Sequence, residues 1–194
     1  VTPDSRVFVL AATNRLDALD PALTRPGGRL GELVIHVPRP NRRAGRDILA
    51  KYLHAGLPFH RGPHEDSDAA RRSVIDVAVS TVYAPNGCGP LAHVTMRDGS
   101  RRSIRPADLV SGAVLAAAVR SACARACRRE VGGEPGGILA DEVRAALRAQ
   151  FESLASALTP GNVRSYVSSL PQDLDAVRVE LVPRRGHDEY LMGA

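Results

Sequence analysis

Val7 to Arg29 reads VFVLAATNRLDALDPALTRPGGR, and the order of residue types in it decides how the rest of the chain is read. The apolar run Arg6 to Ala12 (RVFVLAA) has the length and continuity of a central strand buried on both faces. Polar residues begin abruptly at its end, with Thr13-Asn14. Asp20-Pro21-Ala22-Leu23 then reads as an N-cap followed by proline at the first helical position, and Pro26-Gly27-Gly28 closes that short helix. A second strand is predicted over Glu32 to Val37 (ELVIHV), ended by Pro38 and Pro40. Two strands do not make a parallel sheet by themselves, so the opening predicts the last strands of an α/β domain.

From Asn41 the pattern turns helical. A helix is predicted from about Arg42 to His54 with Ile48, Leu49, Tyr52 and Leu53 on one side. The Gly/Pro/His-rich stretch Gly56 to Ser67 separates it from another at about Ala69 to Tyr83. Ala92 to Met96 and Arg101 to Ile104 flank Arg97-Asp98-Gly99-Ser100, a hairpin signal. Spacing predicts one long helix from Pro106 to about Glu130, with Leu109, Ala113, Ala116, Ala117 and Ala124 as a small-residue face, broken by Gly132 to Gly137. Further helices are predicted at Leu139 to Leu158 and about Pro160 to Ser169. Val177 to Val182 alternates as an exposed-edge strand, and Pro183 to Ala194 reads as a flexible tail.

At 194 residues the chain is long enough for the end of one domain followed by a smaller second one. It is 44% hydrophobic, yet no apolar run approaches the roughly eighteen residues that cross a bilayer, and no signal segment opens it. A soluble, cytoplasmic protein with no membrane partner is expected. It opens at Val1 rather than Met, and reads as a piece of a longer protein or as a product whose start is missing.

Cys88, Cys123 and Cys127 follow no metal-ligand pattern and are expected to be small core residues in a reducing compartment. His54, His60 and His64 lie in or beside a Gly/Pro-rich loop, and His36 sits in a predicted strand. None has a zinc-like spacing to cysteines or acids, so no metal site is expected. No Gly-x-Ser-x-Gly elbow supports a hydrolase. The formal net charge is +5, but Lys51 is the single lysine among 26 basic residues. That arginine skew, with abundant Ala, Gly and Pro, fits genome-wide codon usage better than a binding stripe. With seven aromatic residues to stack bases, nucleic acid is not the expected partner.

The Val7 to Arg29 stretch resembles the second region of homology of AAA ATPases. There a polar Asn at a strand end helps hold the γ-phosphate and the attacking water, and arginines after a short helix reach the neighbouring subunit's nucleotide. Carried over by position, Asn14 matches the sensor, Arg25 the first arginine finger and Arg29 the second; Asp17, Asp20 and Pro21 also fall where the motif has them. An amide can orient water, and a guanidinium supplied in trans stabilises a transferring phosphoryl group. The family's Arg-Pro-Gly-Arg appears here as Arg25-Pro26-Gly27-Gly28-Arg29, one glycine longer, and Gly31 stands where an acid is usual.

The rest of the chain resembles the bacterial proteasome-associated ATPases called ARC or Mpa. Lys51-Tyr52-Leu53, Leu57-Pro58, the hairpin Val94 to Ile104 and Asp108-Leu109-Val110-Ser111-Gly112-Ala113 carry the resemblance. In that family a phrase ending in Ser-Gly-Ala opens a helix, which places Gly112 and Ala113 at the second sensor. A glycine there lets backbone approach a base or ribose, or else serves close helix packing; the sequence leaves both open. The family's ending, Gln-Tyr-Leu, docks its Tyr and carboxylate on the proteasome core. Tyr190-Leu191 is similar, but Met192-Gly193-Ala194 follow.

The resemblance implies the C-terminal part of an AAA-type α/β nucleotide-binding domain (1–40), a mainly helical small domain with a β-hairpin insertion (41–182) and a tail (183–194). It further implies a hexameric homo-oligomeric ring, protein substrates, and ATP with magnesium in the assembled parent. The chain itself has no Gly-Lys-Ser/Thr phosphate loop, since Lys51 stands between Ala50 and Tyr52, and no strand ending in paired acids precedes Arg6. Alone it is expected neither to bind magnesium-ATP nor to hydrolyse it. A non-hydrolysing subunit that only donates an arginine finger stays open as a second reading.

Overall fold

The computed structural model describes residues 10–13, 19, 20, 22, 35, 37–62, 66–167, 169–171 and 173–183. The chain divides into two units, Val1–Pro38 and Arg39–Ala194.

In the first unit, Leu10, Ala11 and Ala12 are exposed and belong to no strand, Leu10 at 85%, and Ile35 and Val37 are likewise exposed. This departs from the strands predicted over Arg6 to Ala12 and Glu32 to Val37, whose other residues lie outside the described ones. Asp20 behaves as the expected cap, its Oδ1 accepting the N–H of Ala22 at 2.8 Å.

In the second unit, Asn41 starts helix α1 (Arg42–Tyr52) by accepting the N–H of Ala44 at 2.9 Å. Gly45, Leu49 and Leu53, four apart, form its buried line. Tyr52, expected on that face, is 44% exposed, because it sits at the flank of this line. Gly45 is required by a close approach: a Cβ would stand 2.3 Å from the Tyr83 hydroxyl. That hydroxyl donates to the Pro40 carbonyl at 2.8 Å, and burial raises its pKa above the usual phenol value. Tyr83 ends α2 (Ser67–Tyr83), which buries Val74, Ile75, Ala78, Val79 and Val82.

The predicted hairpin forms between β1 (Ala92–Met96) and β2 (Arg101–Ile104), in register Ala92 with Ile104 and Thr95 with Arg101. Gly99 supplies the positive φ of 81° that its turn needs, and Asp98 accepts the Ser100 N–H at 2.9 Å. Strand β3 (Ala176–Leu181) runs antiparallel along the other side of β1, giving the order β2-β1-β3. The expected edge strand is therefore the third strand of the hairpin's own sheet. Ala92, Val94 and Met96 turn one face of β1 into the core.

The single helix predicted over Pro106 to Glu130 is two: α3 (Pro106–Leu109) and α4 (Gly112–Val131). Val110 and Ser111 between them are extended, with ψ of 139° and 166°. Periodicity missed the break because Leu109 and the alanines beyond it stay in helical phase, whereas the family phrase placed the opening at Gly112. The buried residues of α4 are Leu115, Ala116, Ala118, Val119, Ala122 and Ala126; of the expected small-residue face, Ala116 is buried and Ala117 half-buried, whereas Ala113 and Ala124 are exposed. Of the cysteines expected in the core, Cys127 is exposed and Cys88 half-buried, while Cys123, half-buried, packs against the core. Burial raises the Cys123 thiol pKa, with Glu142 adding to the rise.

Helix α5 (Ala140–Ser156) packs on α4 and α2 through Val143, Ala146, Leu147 and Phe151. Helix α6 is only Val163–Tyr166, shorter than the predicted Pro160 to Ser169. Among the described residues no helix is long and apolar enough to cross a membrane.

The turn between α4 and α5 shows how the unit is locked. Arg129, 16% exposed, pairs with Glu142, 14% exposed, at 3.0 Å, and its other nitrogens donate to the carbonyls of Pro135 and Gly137. Glu142 also accepts the Leu139 N–H at 2.9 Å. Gly137, at φ 87°, brings the backbone so close that a Cβ would stand 2.5 Å from the His60 nitrogen. Here Ile138 bridges to Phe59. Arg129→Ala strands a buried carboxylate and is expected to cost about 3 kcal/mol. Breaking the exposed Arg46–Asp76 pair with Arg46→Ala is expected to cost under about 1 kcal/mol. Urea unfolding of the two variants checks the contrast.

Candidate functional site

The break between α3 and α4 builds the site. The Val110 side chain is fully buried, and its N–H donates to the Pro106 carbonyl at 2.9 Å, which closes α3. Ser111 then caps α4: its Oγ accepts the Val114 N–H at 3.3 Å and its carbonyl accepts the Leu115 N–H at 3.1 Å. Gly112 and Ala113 lie in the first turn, where N–H groups have no intrahelical partner. Behind them run the 20 residues of α4, whose aligned peptide dipoles place partial positive charge at this end, and its first turn carries no acid.

Gly112 is half-buried and Ala113 exposed, and nothing stands within 4 Å of where a Gly112 Cβ would be. Close helix packing therefore does not account for the glycine. What the opening offers is two main-chain donors at the positive end of a helix, which suits a phosphate oxygen, a carboxylate or a ribose hydroxyl.

One arginine ties the opening to the start of the unit. Arg39 donates through Nη1 to the Val110 carbonyl at 3.1 Å and through Nη2 to the Tyr166 carbonyl at 2.5 Å. Its guanidinium is desolvated enough to lower its pKa from the usual value, against the opposing pull of Asp108. Asp108 itself accepts the Arg105 N–H at 2.8 Å as the capping acid of α3. Arg39 was not singled out in the sequence, and among so many arginines nothing there marks it.

Of the site residues predicted from sequence, Gly112 and Ala113 are brought together in this opening. Asn14, Arg25 and Arg29, the extra Gly28, and Tyr190 and Leu191 lie outside the described residues. Lys51 is exposed in the last turn of α1, not in a phosphate-binding loop. Among the described residues no group of three or more His, Cys, Asp or Glu is placed to hold a metal. His54 accepts the Gly56 N–H at 3.2 Å, His60 stands 3.2 Å from the Gly136 carbonyl, and His93 is 3.1 Å from the Ser103 hydroxyl. A cleft of about 710 Å³ lies between α2 and α5, lined by Arg72, Asp76, Arg144 and Arg148 among others, and none of its lining residues belongs to the α4 opening.

Residues 40–162, the segment that holds α1 to α5, the hairpin and this opening, match the family model described as the ARC, AAA+ ATPase lid domain. The chain belongs to the ARC family of AAA+ ATPase lids. Among curated relatives, a protein of Acidimicrobium ferrooxidans named proteasome-associated ATPase is 33% identical over 151 residues, covering 75% of this chain and 26% of the relative. One from Micrococcus luteus, named AAA ATPase forming ring-shaped complexes, is 36% identical over 161 residues, covering 77% and 27%. A proteasome-associated ATPase of Beutenbergia cavernae is 36% identical over 150 residues, covering 75% and 26%. The chain thus spans about a quarter of the length of the curated relatives it matches. Strand β3 lies beyond the segment matched to the ARC lid, yet it completes the sheet that the matched hairpin begins.

If Ser111 caps α4 as described, Ser111→Ala is expected to lose about 1 kcal/mol. Hydrogen exchange should quicken first at Val114; an unchanged urea midpoint and unchanged exchange there would contradict the cap.

Proposed function

We propose that the chain is the lid-bearing part of a cytoplasmic ring-forming AAA+ ATPase that couples ATP hydrolysis to protein unfolding for a proteasome-like protease. The observation that carries this reading is the open α4 N-terminus at Gly112-Ala113, inside a segment that matches the ARC lid. The printed names of the relatives, which refer to rings and to the proteasome, support it.

In this reading Gly112 and Ala113 offer their N–H groups to the nucleotide's ribose or phosphates. Asn14 orients the attacking water in its own subunit, and Arg25, with Arg29, reaches the neighbour's nucleotide in a hexameric ring. Tyr190 and Leu191 are the candidate docking residues for a proteasome core particle, displaced from the terminus by Met192-Gly193-Ala194. Tagged or otherwise marked proteins would be the substrates. ATP and magnesium would be held largely by phosphate-loop and acidic residues that this sequence does not contain.

Two measurements test this. By titration calorimetry the chain alone should give no magnesium-ATP binding heat. A chimera in which the chain replaces the matching segment of the Micrococcus luteus relative should hydrolyse ATP, and its Arg25→Ala variant should lose about a thousandfold or more in kcat. A chimera that forms rings but hydrolyses nothing, or is indifferent to Arg25, would favour a non-hydrolysing subunit.

A further inference from the structure

The carbonyl that Arg39 holds belongs to Val110, two residues before Gly112, and the second one it holds belongs to Tyr166, the last residue of α6. Both contacts are remote in sequence, spanning 71 and 127 residues. The segment that carries Arg39 is itself pinned on either side of its next peptide: Pro40 presents its carbonyl to the Tyr83 hydroxyl, and Asn41 caps α1. Arg39 therefore joins three places: the entry of the chain into the lid, the extended link that precedes α4, and the end of α6.

We propose that Arg39 is the positioning residue of the α4 opening, fixing where Gly112 and Ala113 present their N–H groups relative to the chain's entry into the lid. This rests on the reading of those two residues as nucleotide-facing, and adds what sets their position. Val110 and Ser111 are extended and so carry no helical hydrogen bonding across the break; without an outside tether, the α4 opening can shift against α3. The planar guanidinium fork donates to two carbonyls from different elements at once, which a lysine ammonium on a flexible stem does far less rigidly. The Tyr166 carbonyl lies near solvent, so water takes over its hydrogen bond when Arg39 is removed, whereas Val110 is buried and its carbonyl regains a partner only if the link before α4 shifts. The loss is then of position rather than of fold.

The test uses the whole 194-residue chain and the chimera described above. In the chain, Arg39→Ala is expected to speed amide exchange at Val114 and Leu115 about tenfold while leaving Val143 to Phe151 of α5 unchanged, with Arg39→Lys in between. In the chimera, Arg39→Ala should raise KM for ATP about fivefold with kcat held within about twofold, and Arg39→Lys should recover part of the loss. A variant that merely unfolds a fraction of the molecules lowers apparent kcat and leaves KM in place. Unchanged exchange at the α4 opening, or a uniform rise through every helix, overturns the proposal. Faster exchange at the opening with an unmoved KM upholds the positioning and overturns the nucleotide role of Gly112 and Ala113.

Discussion

A helix leaves its last carbonyls without intrahelical partners, and in this small helical unit several carbonyls at or just beyond helix ends are met by arginine side chains. Arg71 donates to the carbonyls of Ala50 and Leu53 at the end of α1, at 2.9 and 2.5 Å. Arg39 holds Val110 after α3 and Tyr166 at the end of α6, and Arg129 holds Pro135 and Gly137 in the turn that follows α4. Each guanidinium serves two carbonyls, which its fixed fork allows and a point charge does not. Helix ends secured in this way can be joined by short, sharply turned links.

Those links are what place the opening of α4. Because α3 ends at Leu109 and Val110 and Ser111 run extended, α4 starts afresh with its own cap and its own free first turn. A continuous helix through this point would have paired the N–H groups of Gly112 and Ala113 internally and left no free donors there. The buried faces of α4 and α5, rich in alanine, set the direction of the helix axis, and with it the direction in which the dipole points. The hairpin and β3 cover another part of the same core through Ala92, Val94 and Met96.

Much of this unit was legible in the residues. Asn41, the Asp98-Gly99 turn, and the apolar spacing of α2 and α5 each act locally, and local signals survive without knowledge of the fold. The break at Val110-Ser111 was hidden from periodicity, since alanines and leucines continue on either side of it, and only the resemblance to the ARC phrase marked it. The small-residue face of α4 was only partly right, Ala116 being buried and Ala113 and Ala124 exposed, for the same reason: with alanine nearly everywhere, composition alone does not say which side faces inward. The arginines that hold carbonyls were invisible, because nothing distinguishes Arg39, Arg71 or Arg129 from the other arginines until their long-range partners are in place.

The central claim is that the opening of α4 faces the nucleotide. Photoaffinity labelling of the ring-forming chimera with an azido-ATP analogue, followed by peptide mapping, tests it most directly. The account predicts label on the peptide that contains Gly112 and Ala113, reduced by excess ATP. Label confined to other parts of the lid, or none on the lid in a ring that binds the analogue, would contradict it.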